Sequence, residues 1–105
     1  MSLIVTTPAP PYYSVIFTSL LSPDDQGYGE MADRMVQLAH QQDGFLGVES
    51  ARGEVGITVS YWRDLTAIKA WKANSEHLVA QKMGRERWYQ SFTLRIAKVE
   101  RQYSM

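Results

Sequence analysis

Two histidines, His40 and His77, and three tryptophans, Trp62, Trp71 and Trp88, are the side chains best suited to ligand chemistry in this 105-residue sequence. Imidazole titrates near neutrality and ligates metals, so His77 is a candidate general base or axial ligand. On a helix surface or at a cap the same histidine would serve only local hydrogen bonding. Trp71 offers a broad indole face and one N–H donor, which suits stacking on a flat aromatic molecule. Its helical spacing with Ile68 fits core packing equally well. His40, beside Gln41 and Gln42 at the end of a helical stretch, reads as a partner of the helix dipole. Trp62 and Trp88 fall at strand ends, where packing or dimer contacts come first and a pocket role second.

Arg52, Arg85 and Arg95 could grip an anionic substrate group with a fork of N–H donors. Pairing with Glu49, Glu86 or Glu100 would make them ordinary ion pairs, the reading preferred here. No glycine-rich phosphate loop, paired-carboxylate motif or metal-ligand cluster is present, so phosphoryl transfer and zinc hydrolysis have no support. There is no cysteine, which excludes disulfides and thiolate catalysis. Eleven basic residues balance eleven acidic ones, removing the charge term that dominates nucleic-acid affinity. No apolar run approaches the roughly 20 residues that span a bilayer, and the N-terminus lacks the features of a signal peptide. The expectation is a cytoplasmic domain with neither nucleic acid nor membrane as partner.

These side chains need elements to position them. Residues 1–11, rich in proline, predict an extended lead-in, loose or swapped over, followed by a single domain over residues 12–105. Alternation in Tyr12 to Leu21 predicts a strand with Tyr13, Val15 and Phe17 on one face. Ser22-Pro23-Asp24-Asp25 suits a helix start, and Tyr28, Met31, Ala32, Met35, Leu38 and Ala39 carry that helix to about Gln42. Gly44 would then supply its left-handed stop. Phe45 to Arg52 and Ile57 to Trp62 form a hairpin across Gly53-Glu54-Val55-Gly56. Asp64 caps a second helix with Leu65, Ile68, Trp71, Leu78, Val79 and Met83 inside, and Asn74-Ser75 predicts a break within it. Trp88 to Arg101 completes the set as a last strand. The order predicts a ferredoxin-like βαββαβ plait in the α+β class, a four-stranded antiparallel sheet with helices on one face. The bare face keeps apolar side chains, which predicts a homodimer closed face to face into a barrel.

The segments DGFLGVESAR, GITVSYW, AIKAW, EHLVAQ and GRERWY together resemble the antibiotic biosynthesis monooxygenase superfamily of dimeric α+β barrels. The similarity is to its branch of small heme-degrading monooxygenases and covers Tyr12 to Arg101. It implies the barrel fold and a pocket beside Trp71. In heme-degrading members a strand asparagine, a helix tryptophan and a histidine ten residues on form the site. Here Trp71 matches the tryptophan, Gln81 stands at the histidine position and Thr18-Ser19 at the asparagine, so a heme ligand would have to be His77. The resemblance implies a cofactor-independent monooxygenase acting on an electron-rich quinol or anthrone, with His77 and Trp71 catalytic and Trp62, Gln81, Asn74 and Arg52 contacting substrate. Its alternatives are a noncatalytic dimer that binds heme or a small aromatic, or a heme-degrading enzyme using His77. An RNA-binding plait would need exposed aromatics on central strands and a basic surface, which are missing.

Overall fold

The computed structural model describes residues 3–24, 26–82 and 88–105, with side chains of the second helix followed as far as Leu78. Its elements are β1 (Tyr12–Leu21), α1 (Tyr28–His40), β2 (Phe45–Arg52), β3 (Gly56–Trp62), α2 (Leu65–Lys82) and β4 (Tyr89–Val99). They form one four-stranded sheet in the order β2-β3-β1-β4, with all neighbours antiparallel. This is the expected ferredoxin-like α+β plait. Each helix connects two parallel strands across the one that lies between them.

Strand register sorts the side chains by face, because directly paired residues point the same way. Tyr13 pairs with Trp62, Val15 with Ser60 and Phe17 with Thr58. On the other side Val15 pairs with Ile96, Phe17 with Leu94 and Ser19 with Phe92. This is the helix-covered face, and its centre is a buried cluster of Val15, Trp62, Ala67 and Ile68, with Tyr13, Phe45 and Trp71 packed against it. The helices lie toward one side, α1 on β2 and α2 on β3, in contact with each other. Edge strand β4 is therefore covered incompletely. Phe92, Leu94 and Ile96 remain 39%, 40% and 48% exposed on the very face the helices occupy.

Several local expectations change. Helix α1 begins at Tyr28 behind a left-handed Gly27, with no side-chain cap, rather than at Ser22-Pro23-Asp24; Asp25 lies outside the described residues. The backbone N–H of Ser22 donates to the carbonyl of Trp88 at 2.8 Å, extending the sheet by one rung. Its hydroxyl is used locally, on the Asp24 carbonyl at 3.0 Å. Gly44 does have positive φ, +88°, but the cap of α1 is Gln41. Gly44 serves instead as the entry to β2, where a Cβ would stand 2.7 Å from that of Ala67.

Helix α2 runs without a break through Asn74-Ser75. The amide of Asn74 donates to Gln42 Oε1 at 2.9 Å and the Ser75 hydroxyl to the Lys72 carbonyl at 3.0 Å, so both polar groups are satisfied with the helix intact. Asp64 caps it as expected, accepting the Ala67 N–H at 2.8 Å. Leu65 is 53% exposed and is not an inner residue, while Ile68 and Leu78 are buried. The side chain of Val79 and all of Met83, Arg85 and Glu86 lie outside what is described.

The N-terminal segment packs instead of trailing. Val5 donates its N–H to Glu49 Oε2 at 2.9 Å, and its side chain sits where a Cβ on Gly47 would be. Thr7 and Tyr12 both reach Gln102 beyond β4, at 3.1 and 2.5 Å. Glu49 also accepts the Tyr61 hydroxyl at 2.6 Å. The segment is thus tied to both edges of the sheet on the face without helices.

Candidate functional site

Strand alternation and helix periodicity bring two apolar surfaces together beside Trp71. A shallow cleft opens there between α2 and the β1–β4 pair, lined by Val15, Ile68, Trp71, Lys72, Ser75, Leu94 and Ile96. Ile68, Trp71, Lys72 and Ser75 follow the i, i+3, i+4, i+7 spacing that places residues on one helix face. Val15 and Ile96 are a directly paired cross-strand couple. The cleft exists because α2 leans toward β3 and leaves β4 open.

Trp71 owes its position to the core behind it. Its ring stacks on Trp62, with centroids 5.5 Å apart and 28° between planes. Trp62 has no exposed surface and donates its indole N–H to Ser60 Oγ at 2.8 Å. Phe45 meets the other side of Trp62 edge-on at 5.2 Å, and His40 meets Phe45 at 4.9 Å. Four rings therefore run in contact from the end of α1 to the cleft. His40 is part of this row, a ring contact in addition to its place in the last turn of α1.

Polar groups are sparse at the cleft. Lys72 Nζ stands 3.8 Å from Glu76 Oε1, with 62% of the lysine side chain exposed, so it offers a cation at the mouth. Ser75 adds a hydroxyl. Neither residue figures among the sequence candidates, although both extend the stripe begun by Ile68 and Trp71. Their polarity obscured a position that spacing alone would have shown.

The remaining candidates do not converge. His77 is exposed and lies about 200° round the helix from Ser75, away from the cleft. An imidazole so placed does not fit as a ligand to heme seated against Trp71. Asn74 is exposed and engaged with Gln42. The Gln81 side chain lies outside what is described. Trp62 supports the cleft from behind, and Trp88 is 1% exposed, with its indole N–H on the Gln26 carbonyl at 3.1 Å. Arg52 is on the helix-covered face but at the far end of the sheet, near Ser19 and Tyr28. It does not pair with Glu49, because positions 49 and 52 face opposite sides of β2. Among the described residues no group of three or more His, Asp or Glu could hold a metal ion, and no helix is long and apolar enough to cross a membrane.

Electrostatics around α2 are local. Arg63 forks onto Asp43 at 3.2 and 3.0 Å and also reaches Asp64 at 3.1 Å. The hydrogen bond from Arg63 holds the Asp43 carboxyl below its ordinary range. For Asp64 the Ala67 N–H has the largest such effect and Arg63 the next. On the opposite face burial pushes the Tyr61 phenol up to about 12, helped by its bond to Glu49.

Comparison with known proteins agrees with this architecture. The family model described as antibiotic biosynthesis monooxygenase matches residues 11–83. The chain is 54% identical over 104 residues to the "Uncharacterized protein YqjZ" of Bacillus subtilis (strain 168), covering 97% of this chain and 91% of that protein. Among solved structures, Rv0793 from Mycobacterium tuberculosis superposes with a TM-score of 0.73 at 13% identity, covering 89% of this chain and 99% of that one. A mutant of SnoaB, a cofactor-independent oxygenase from Streptomyces nogalater, superposes with a TM-score of 0.70 at 14% identity, covering 88% and 95%. At such identities these structures speak for the fold.

Proposed function

The chain belongs to the antibiotic biosynthesis monooxygenase family, and on that premise we propose a cofactor-independent monooxygenase acting on an electron-rich quinol or anthrone held against Trp71. One observation carries the reading. Trp71, fixed by its stack on buried Trp62, forms one wall of an apolar cleft whose floor is Val15, Leu94 and Ile96. A rigid indole face over an aliphatic floor selects a flat, apolar molecule.

For an anthrone the reaction balances without an added cofactor. The ring methylene loses a proton to solvent water, which returns it to the peroxide formed later, and the resulting enolate passes one electron to O2. Recombination of the two radicals forms a C–O bond and a hydroperoxide, whose O–O bond breaks with loss of water to leave the quinone. One O2 is consumed per quinone and water formed. The Lys72 ammonium is the cleft's means of stabilising the enolate oxygen, Ser75 supplies a hydroxyl, and Trp71 fixes the ring plane.

The test is oxygen uptake by purified protein with a panel of anthrones and hydroquinones and no added flavin, nicotinamide or metal. Enzyme-dependent uptake at one O2 per quinone supports the reading, and uptake no faster than the buffer background with every substrate refutes it. A second reading, a noncatalytic binding protein for a small aromatic ligand, draws on the cleft itself, since no imidazole or carboxylate lines it among the described residues. Saturable binding of anthrones without turnover would establish that alternative. The heme-degrading reading draws no support from His77, which faces away from the cleft.

The face without helices supports a homodimer. Ile57 is 46% exposed there, and Ile16 and Val59 pair beside it. The N-terminal segment covers one end of this face near Glu49. Light scattering that gives a mass twice that of the chain would support face-to-face closure, and a monomer at high concentration would oppose it.

A further inference from the structure

We propose that Arg52 forms a second binding site, one that takes the carboxylate of a flat aromatic ligand. Position 52 alternates onto the helix-covered face, where Nη2 donates to Ser19 Oγ at 2.5 Å and the guanidinium carbon stands 5.5 Å above the Tyr28 ring. Its third support is Gly56, a buried glycine at which any Cβ would collide with the guanidinium. Two elements and a bare backbone thus fix the plane of a cation. No described carboxylate pairs with it, and Ser19 occupies a single one of its five N–H donors.

The surroundings name the ligand's shape. Tyr28 meets Tyr89 edge-on at 5.6 Å, and Phe17 lies 5.2 Å from Tyr89 and 5.3 Å from Phe92. Burial and a hydrogen bond with Tyr28 hold the Tyr89 hydroxyl in its neutral form, so this wall adds no competing anion. A planar fork of donors matches a carboxylate in two parallel hydrogen bonds, and the neighbouring rings, with Phe92 39% exposed, give an attached aromatic ring something to lie on.

This site does not depend on the oxygenase reading. Ser19 is four residues along β1 from Val15 of the cleft, about 13 Å by the rise of a strand, and the two sites adjoin where Phe17 of this aromatic wall pairs with Leu94 of the cleft.

The experiment is calorimetric titration of the full chain with sodium benzoate, and separately with inorganic phosphate, at constant ionic strength. Saturable binding of one benzoate per chain is expected, with affinity at least tenfold lower in Arg52→Gln and intermediate in Arg52→Lys. Gly56→Ala should weaken binding while the charge remains, and circular dichroism with thermal melting checks the fold of each variant. Trp71→Ala should bind benzoate as wild type does. The proposal is overturned by absence of saturable benzoate binding, by equal binding in folded Arg52→Gln, or by phosphate binding as well as benzoate. Loss in Trp71→Ala with retention in Arg52→Gln would likewise overturn it, placing the anion in the cleft instead.

Discussion

Trp71 stacks on Trp62 at 5.5 Å between ring centroids, and only Trp71 reaches open space. The two indoles divide the labour of a site. Trp62 is anchored by Ser60, by Phe45 and by complete burial; Trp71 uses that fixed surface to present its own outer face to the cleft.

Trp62→Ala should cost roughly 3–5 kcal/mol of folding stability, since it empties a fully buried tryptophan position and leaves Ser60 without its donor. Urea unfolding measures this directly. A loss below about 1 kcal/mol would mean that the aromatic row does not hold the core together.

Gly47→Ala tests the N-terminal packing. Gly47 has φ +155° and the Val5 side chain occupies the space of its missing Cβ. Substitution should displace residues 3–11 and cost about 1–3 kcal/mol, with faster proteolysis of the N-terminal segment. Unchanged cleavage and melting would show that the segment is not held there.

Alkaline pH should act through Tyr61. An unfolded tyrosine titrates near ~10, whereas burial first, and Glu49 second, push this phenol up to about 12 in the folded chain. The folded state therefore holds the proton more tightly. The stability this contributes is complete below the unfolded value and is lost as pH rises from there through about 12. In Tyr61→Phe the fall of melting temperature over that window should be shallower, and an identical fall would exclude Tyr61 as its cause.

What could be read beforehand depended on whether the signal was local. Tyr12–Leu21 and Phe45–Arg52 are strands with the boundaries their alternation suggested. The start of α1 was misplaced because Ser22 resembles a cap by composition, yet its N–H belongs to a sheet rung with Trp88, sixty-six residues away. Asn74-Ser75 resembled a break because helix-interior Asn and Ser compete for backbone groups; Gln42, just past the end of α1, removes that competition for Asn74. The N-terminal packing had no local pattern at all, since Val5 to Glu49 and Tyr12 to Gln102 are long-range pairs.

The site divides in the same way. Trp71 was legible from its type and its place on an amphipathic stripe, and the structure puts it at the cleft. His77 drew notice through scarcity of histidine, but helix geometry turns it outward. Lys72 and Ser75 continue the stripe of Ile68 and Trp71 by spacing, and only their polarity kept them from being read as part of the cleft. Arg52 shows what alternation could have decided from the outset, because an odd–even pair three apart on one strand cannot share a face.

The most direct measurement of the central claim is the rate of oxygen consumption with anthrone by wild type and by a folded Trp71→Ala variant, under air and without added cofactor. The cleft beside Trp71 as the reaction site requires turnover in wild type and at least a tenfold lower kcat/KM in the variant. Equal rates in the two proteins, or no turnover by wild type, would contradict it.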